Sequence, residues 1–486
     1  MNAPSRVLKN SVYVLMARLA ELLTGILTIA LTTRYLGNEI FGEYAFIGAT
    51  TAALSPLIAM GCARILIRDI AVDGRRAGSL VVSAIWIHLV FTALALGITV
   101  GVLWSMKLRS SLALGAGLLA VAAQMMMALR QTVGSVPIAR EAMHFEAWQV
   151  IASRLALVLL FAGVAAAGLS YPQFFTAAAL AAGIGLVLAW IIMVRRFTAP
   201  VWGVRFQEII YLLKESVPVA IYNFLGQLPL YLNVFFLKWV QDLKQMSYFQ
   251  APQRVIVPLM ILPMSLLFAF SPAIARMGAD QSRFDDLRRY YRTTLAWVLV
   301  LVFPCCVVAT VYASGLSEFL FGADFIPSAG SFGILIWGIV PFSLNALLNT
   351  ILTAMGKQRG VVLSHVAALI VNAALGPWLC ARYGHCGASA AFLVSMICLF
   401  VFNHYYLRSL VPQLPLWTVL WRPLLAAAGF AFVLWYVNRA GAPVLAALLA
   451  PLAYAGLVLA LRAVSVAEIR DLVRAAFGLI GSLTSR

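Results

Sequence analysis

The chain has 486 residues, of which 63% are apolar and only 11% are charged, and its mean hydropathy is +0.95. Soluble domains carry about a quarter charged residues, so this composition excludes a soluble enzyme, a secreted disulfide scaffold and a disordered protein. The formal net charge of +18 raises the alternative of nucleic-acid binding, which depends on where the cations lie.

Apolar segments long enough to cross a bilayer recur along the whole chain. A membrane-spanning helix needs about 20 apolar residues, and its backbone polar groups must be satisfied within the segment. Breaking the apolar runs at charges, prolines and glycines therefore predicts an all-α polytopic membrane protein. The fourteen predicted helices are 12–33, 42–62, 79–104, 111–129, 148–168, 173–194, 216–237, 248–272, 293–313, 329–354, 361–381, 387–407, 416–437 and 443–461.

The cations concentrate on one side of these helices. Most of them fall in the N-terminus, the even-numbered loops and the C-terminus, and the densest groups lie within 64–76, 195–214 and 276–292. Because cytoplasmic loops are enriched in Lys and Arg, both termini are predicted to be cytoplasmic. The membrane topology therefore explains most of the excess of Lys and Arg over Asp and Glu. We expect no nucleic-acid partner, since the loops are too short for a recognition domain.

An internal repeat predicts the domain organisation. The first and seventh helices begin alike, at Asn10–Val14 and Glu215–Val219, and a tyrosine opens each following helix, Tyr44 and Tyr248. Chance similarity among apolar segments is the alternative. A parallel repeat is a known transporter architecture, with the substrate site between two lobes. The predicted parts are an N-lobe at 1–200, a C-lobe at 201–410, two extra helices at 411–463 and an amphipathic cytoplasmic helix at 464–486.

The cysteines and histidines give no metal signature. Six cysteines lie at 62, 305, 306, 380, 386 and 398, without a CxxC pair or another metal-binding spacing. Cys380 and Cys386 flank a predicted outward loop, which leaves a disulfide between them open. We therefore expect no metal, and most of these thiols are expected to be buried as small apolar groups.

Several charges fall inside or at the ends of the predicted helices. Ionisable residues inside a membrane are costly and usually face a cavity. Arg18 and Glu21 share a face of the first helix, and both a structural ion pair and a cavity charge are open. Arg254, four residues after Gln250 in the eighth helix, is predicted to face the cavity. Two further cations, for which an interface anchor is the alternative, are Arg34 and Arg64.

Polar side chains recur at helical spacing in the second half of the chain. They lie in the seventh, tenth and eleventh helices, at Asn223, Gln227, Tyr231, Asn345, Asn349 and Asn372. Such residues often bond helices together, but their concentration favours a hydrated cavity. Arginine outnumbers acid within the spans, and guanidinium groups donate paired hydrogen bonds to phosphate. The cavity is therefore predicted to hold an anionic amphiphile.

Five segments resemble those of bacterial polysaccharide repeat-unit flippases. Residues 34–44, R-Y-L-G-x-x-x-F-G-x-Y, are similar to the first-loop signature of that family. The other four lie at 270–276, 321–329, 352–357 and 371–390. The resemblance extends over residues 8–410, and its segments are specific when taken together.

This resemblance implies the fold of the multidrug/oligosaccharidyl-lipid/polysaccharide exporter superfamily, in which two six-helix lobes surround a central cavity. It implies movement of a polyprenyl-pyrophosphate-linked oligosaccharide, an O-antigen, capsule or exopolysaccharide precursor, across the bacterial inner membrane by alternating access. Arg18 and Arg254 would then pair with the pyrophosphate, while polar side chains would hold the sugars. A polysaccharide polymerase would be the partner protein. Lipid II flippases are similar in having two extra helices, which hold the lipid tail.

The alternatives are a lipid II flippase, a multidrug or cation exporter, and a membrane glycosyltransferase, polymerase or ligase. Such an enzyme would need a longer outward loop than this sequence has, so we expect a secondary transporter. The sequence has no Walker phosphate loop, so we expect no cofactor. Coupling to a proton or sodium gradient is open, and Glu21 is the candidate carboxylate for it.

Overall fold

The computed structural model describes residues 3–108, 110–260, 263–264, 284–412, 414, 416–439, 443–461 and 463–464. The regular elements within these ranges are helices. They are α1 Ala3–Ala53, α2 Ser55–Ala59, α3 Cys62–Val72, α4 Ala77–Ser105, α5 Ser111–Ala139, α6 Met143–Ala166, α7 Pro172–Arg196, α8 Phe206–Val240, α9 Leu243–Leu259, α10 Phe284–Val311, α11 Ala313–Phe321, α12 Ala329–Leu335, α13 Ile339–Ala354, α14 Gln358–Leu410, α15 Leu416–Arg439 and α16 Pro443–Ala460. Short 3-10 turns lie at Gly74–Arg76, Ala323–Ser328 and Ile336–Gly338.

The all-α membrane fold predicted from the composition is confirmed. Among the described residues, 10 helical segments are long and apolar enough to span a membrane. Helix α1 contains the first predicted span and the beginning of the second, and α14 contains the eleventh and twelfth, in each case on the two sides of a sharp kink. The fourteen predicted helices are consistent with this arrangement.

Each kink is made by a glycine in a conformation that other residues avoid. Gly37 in α1 has φ 66° and ψ 177°, and Gly384 in α14 has φ 53° and ψ −132°. The region occupied by Gly37 is essentially restricted to glycine. The connection predicted at each of these two places is reduced to a turn at a single glycine, with helix on both sides.

Two other predicted helix boundaries also differ from the structure. The second predicted helix does not run unbroken to residue 62, because Met60 and Gly61 adopt left-handed conformations with φ 48° and 69°. Helix α3 begins after this break and extends to Val72. The tenth predicted helix, 329–354, is divided into α12, a 3-10 turn and α13. Periodicity does not detect such breaks, because the chain stays apolar through them.

The chain separates into two compact units. The first comprises Met1–Val255 with Leu320–Asp324, and the second comprises Ile256–Phe319 with Phe325–Arg486. The predicted lobes, 1–200 and 201–410, rest on the internal repeat and stay a prediction. The amphipathic helix predicted at 464–486 and the family-like segment at 270–276 lie almost wholly or wholly outside the described residues.

In the first unit, polar contacts fix the beginning of α8 against α3 and α4. The Glu208 carboxylate accepts hydrogen bonds from the hydroxyls of Ser79 and Ser83, at 3.1 and 3.2 Å. Arg68 on α3 pairs with Glu215 at 2.9 Å. Apolar side chains of α3, α4, α7 and α8, among them the fully buried Leu66, pack into one core beneath these contacts.

In the second unit, the two C-terminal helices pack on α10 and on each other. The Tyr454 hydroxyl of α16 donates to the carbonyl of Val300 in α10 at 3.0 Å, and its ring lies 5.2 Å from that of Phe430 in α15. All six cysteines are free thiols. The disulfide left open between Cys380 and Cys386 is therefore absent, and His385 instead lies between the Cys386 thiol and the Ser331 hydroxyl.

Candidate functional site

Within the first unit, Arg254 of α9 lies against an aromatic surface on α1. Its guanidinium carbon is 4.9 Å from the centre of the Tyr44 ring and 5.6 Å from that of Phe41. Both rings are buried, at 5% and 0% exposure. Distances below about 6 Å give a favourable cation–π interaction, so the arginine is held by ring faces.

The aromatic surface is supported from behind by α7. The ring of Phe175 lies 4.7 Å from that of Tyr44, and the ring of Phe174 lies 5.7 Å from that of Tyr35. The Tyr171 hydroxyl, next to the start of α7, donates to the Glu43 carboxylate at 2.8 Å. These contacts fix the helical turn that follows Gly37.

The same turn packs closely on the beginning of α9. The Asn38 amide donates to the Tyr248 hydroxyl at 2.7 Å, and Lys244 pairs with Glu39 at 2.9 Å. Gly42 allows the Leu243 carbonyl to approach so closely that an added Cβ would lie 2.5 Å from its oxygen. The family-like signature at residues 34–44 thus contains the two rings, Phe41 and Tyr44, that Arg254 contacts.

The Arg254 guanidinium has no carboxylate partner among the described residues, and polar atoms without partners lie on the same helix. The Gln250 amide nitrogen is buried without a hydrogen bond there. The Gln253 amide nitrogen donates to the Leu230 carbonyl at 2.9 Å, which ties α9 to α8. Tyr231 on α8 lies within electrostatic range of Arg254. Gln250 lies one turn before Arg254 on α9, so these three predicted site residues lie in the same region of the first unit.

Asn223 and Gln227 lie further back on α8, where both are half-buried. Neither amide makes a hydrogen bond to another described residue. Arg34 on α1 and Arg64 on α3 are exposed, which fits the alternative of interface anchors. Their role in substrate binding stays a prediction.

A second cationic group lies where α1 packs on α6. The Glu21 carboxylate receives Arg18 at one oxygen, at 2.8 Å, and Arg154 at the other, at 3.2 Å. Arg18 is 55% exposed, whereas Arg154 is 29% exposed. Both Glu21 oxygens are therefore occupied, and the group keeps one positive charge in excess.

Asn345 and Asn349 meet a third asparagine in the second unit. The Asn403 amide donates to the side-chain oxygens of both, at 3.1 Å each, and the Asn345 amide donates to the Met396 carbonyl at 3.1 Å. Asn345 and Asn403 are buried, while Asn349 is half-buried. In this conformation the cluster bonds α13 to α14, which is the alternative that the sequence left open.

Asn372 is also fully buried, and its amide donates to the Ala391 carbonyl at 3.2 Å. It therefore joins the two halves of α14 around Gly384. In this conformation its side chain is enclosed and cannot contact a ligand. A contact between Asn372 and the sugars stays a prediction.

Sequence reasoning missed Arg154 and Asn403 as members of these groups. Arg154 lies inside the predicted fifth helix, 148–168, so the costly burial of an ionisable group was a usable signal. Asn403 lies in the predicted twelfth helix, 387–407, but nothing in its local sequence indicates that it meets Asn345. Only the packing of α13 on α14 shows that contact.

The comparisons with known proteins agree with this architecture. The family model for polysaccharide biosynthesis proteins matches residues 7–278, more than half of the chain. The chain belongs to this family. A second model, MatE, matches residues 218–378.

A candidate O-antigen transporter of Shigella flexneri is 24% identical over 182 residues, which is 37% of this chain and 42% of that relative. The chain thus matches less than half of the relative's length.

Solved structures of membrane transporters have the same fold. The inward closed conformation of the lipid II flippase MurJ matches 96% of this chain and 99% of its own, with a TM-score of 0.71 and 14% identity. An inward-facing MATE family transporter of the MOP superfamily matches 82% of this chain and 96% of its own, with a TM-score of 0.64 and 13% identity. The chain therefore has the fold of a MOP-superfamily transporter.

Proposed function

We propose that this protein moves a polyprenyl-pyrophosphate-linked oligosaccharide repeat unit from the cytoplasmic to the outer leaflet of the bacterial inner membrane. In this proposal the product is delivered to a polysaccharide polymerase, both termini are cytoplasmic, and the protein acts as a transporter without enzymatic chemistry. Family membership supports the pathway. The observation that carries the substrate class is Arg254, held on two ring faces without a carboxylate partner among the described residues.

An arginine in this state suits a diphosphate. Guanidinium groups form paired, charge-assisted hydrogen bonds with phosphate oxygens, and no carboxylate among the described residues competes for Arg254. A cationic drug would instead need an unpaired acid at this place. The guanidinium has five N–H donors, and a cation–π contact with a ring is not a hydrogen bond to an oxygen acceptor, so donors remain for phosphate oxygens.

The Arg18–Glu21–Arg154 group provides a first contact for the head group. It lies on the predicted cytoplasmic half of α1, and its exposed arginine carries the excess charge. The pyrophosphate pairs with Arg18 and then with Arg254, while the polyprenyl tail stays in lipid. Without such contacts, each polar group of the head would cost several kcal/mol in hydrocarbon.

The sugars are proposed to bind the half-buried polar side chains of α8, Asn223 and Gln227, together with Tyr231 and Gln250. Alternating access then exposes the head group outside. We assign Glu21 the role of counter-ion for its two arginines, since both of its oxygens are engaged. Coupling to a proton or sodium gradient stays a prediction, and so does a part for Glu21 in it.

Complementation of bacteria that lack their O-antigen flippase tests this function, with surface polysaccharide as the readout. The wild-type chain should restore the glycan, and Arg254→Ala should not. Arg382→Ala is the matched control, because Arg382 also lies over two rings, those of Trp378 and Tyr383, at 5.9 and 5.7 Å. Full restoration by Arg254→Ala, at equal membrane abundance, would contradict the proposal.

Lipid II is the second candidate substrate, and the structural likeness to MurJ over 96% of the chain favours it. Lipid II also carries a polyprenyl pyrophosphate, so the same arginines would serve. Rescue of cells depleted of their lipid II flippase, without restoration of O-antigen, would select this candidate. A drug-resistance assay tests the exporter alternative, because an exporter would raise the resistance of cells that express it.

A further inference from the structure

The position of the Arg254 guanidinium depends on a small residue one turn beyond the signature. Phe41, Tyr44 and Gly48 follow at intervals of three and four, so they lie on one face of α1. The first two supply the rings. The third supplies the space in which the end of the arginine lies.

The space at Gly48 is occupied by Arg254. An added Cβ at position 48 would lie 2.8 Å from Nη2 of Arg254, and the next atom outside Arg254, Cε1 of Phe175, is 3.9 Å away. Contacts below 3.0 Å are not sustained by real Cβ atoms. A methyl group there therefore displaces the guanidinium and leaves the neighbouring helix in place.

We propose that Gly48 is a positioning residue for anion binding: its missing side chain leaves room for the Arg254 guanidinium over Tyr44 and Phe41, where it binds a diphosphate. This inference rests on the proposed function, because it assigns the Arg254 site a diphosphate group. It adds that Gly48 of α1 determines how tightly the site binds the diphosphate, although Gly48 itself forms no hydrogen bond to it.

A substitution by alanine separates this role from helix stability. Alanine has a higher helix propensity than glycine by about 1 kcal/mol, so Gly48→Ala does not weaken α1 itself, and the atom it meets is the end of a flexible side chain. Gly115 in α5 is the matched control: it is helical and partly buried like Gly48, but an added Cβ there meets no atom within 4 Å.

The test is binding of undecaprenyl pyrophosphate, which carries no sugar, to purified protein in detergent, measured as the ligand concentration that gives half-maximal thermal stabilisation. Because small misplacements of binding groups weaken recognition strongly, Gly48→Ala should raise this concentration by on the order of tenfold to a hundredfold. Gly115→Ala should leave it unchanged. The unfolding temperatures of both variants without ligand should stay close to that of the wild type.

A double-mutant cycle with Arg254→Lys shows whether Gly48 acts through the arginine. Lysine lacks the Nη2 atom that the methyl group meets, so Gly48→Ala should change the binding of the lysine variant by less than about threefold. An equal loss in both backgrounds would overturn the inference, and so would wild-type binding by Gly48→Ala.

Failure of the proposed function gives a different pattern. If the wild type does not bind undecaprenyl pyrophosphate, or if Arg254→Ala binds it as tightly as the wild type, the proposed function and this inference are both wrong. If Arg254→Ala binds weakly but Gly48→Ala binds normally, only the role of Gly48 is wrong.

Discussion

The guanidinium carbon of Arg254 lies 4.9 Å from the centre of the Tyr44 ring. These residues are more than 200 positions apart, yet they meet because Gly37 turns α1 and Gly42 admits the backbone of α9. A half-buried arginine is thereby held against two rings, without a carboxylate partner among the described residues. In the proposed function, this cation binds the diphosphate of the substrate.

The first prediction concerns Tyr44. Replacing it by leucine removes the ring face and frees the guanidinium, which should weaken the binding of undecaprenyl pyrophosphate by roughly two- to thirtyfold, the effect of a cation–π contact of about 0.5–2 kcal/mol. Tyr44→Phe keeps the ring and should bind like the wild type. Thermal-shift titration measures both. Equal weakening by the two variants would indicate that the hydroxyl matters and the ring does not.

The second prediction concerns the Glu21 pair of contacts. Glu21→Gln leaves Arg18 and Arg154 close together without their shared counter-ion, so the unfolding temperature should fall. The loss should correspond to about 1 kcal/mol or less, since the pairs are partly exposed. Glu21→Gln/Arg154→Gln should recover part of this loss. If Glu21→Gln keeps its stability but transport no longer responds to a proton or sodium gradient, the coupling role is correct and the counter-ion role is wrong.

The third prediction concerns Gly37. Alanine at this position would have to adopt φ 66° and ψ 177°, a conformation that costs about 1–3 kcal/mol for a residue with a side chain. Gly37→Ala should therefore lower the unfolding temperature in detergent, although no neighbouring atom obstructs the added methyl group. Gly115→Ala, in a regular helix, should not lower it. Equal stability of the two variants would show that α1 does not need the glycine.

The fourth prediction concerns Asn403. Asn403→Ala leaves the side-chain oxygens of Asn345 and Asn349 without their donor, and a buried polar atom without a partner costs about 1–3 kcal/mol. The unfolding temperature should fall accordingly. Asn438→Ala, at an exposed position on α15, is the control. Loss of transport by Asn403→Ala with unchanged stability would instead assign the cluster to substrate binding.

The fold was largely readable from the sequence, because apolar runs must form helices in a membrane. The sequence also singles out Arg254 as a charge inside a predicted span, and its role in substrate binding stays a prediction. The family-like signature at residues 34–44 was visible too. The structural role of this signature could not be read from the sequence. Gly42 and Tyr44 contact residues of α9, which follows about 200 residues later.

Contacts between distant helices account for what the sequence could not show. Arg154 lies inside a predicted span, and only the packing of α1 on α6 reveals that it shares Glu21 with Arg18. Asn345 and Asn372 looked like cavity residues because polar groups at helical spacing fit both a cavity and a helix contact. Their enclosed amides show that, in this conformation, they bond helices.

The binding of undecaprenyl pyrophosphate to Arg254 tests the central claim most directly. Purified wild type and Arg254→Ala are titrated with undecaprenyl pyrophosphate and with undecaprenol, which has the same tail and no phosphate, and the unfolding temperature is followed. A ligand that binds the folded state raises this temperature by mass action. We expect that the pyrophosphate stabilises the wild type, that Arg254→Ala loses this stabilisation, and that undecaprenol stabilises neither. Equal stabilisation of wild type and Arg254→Ala by the pyrophosphate would contradict the central claim.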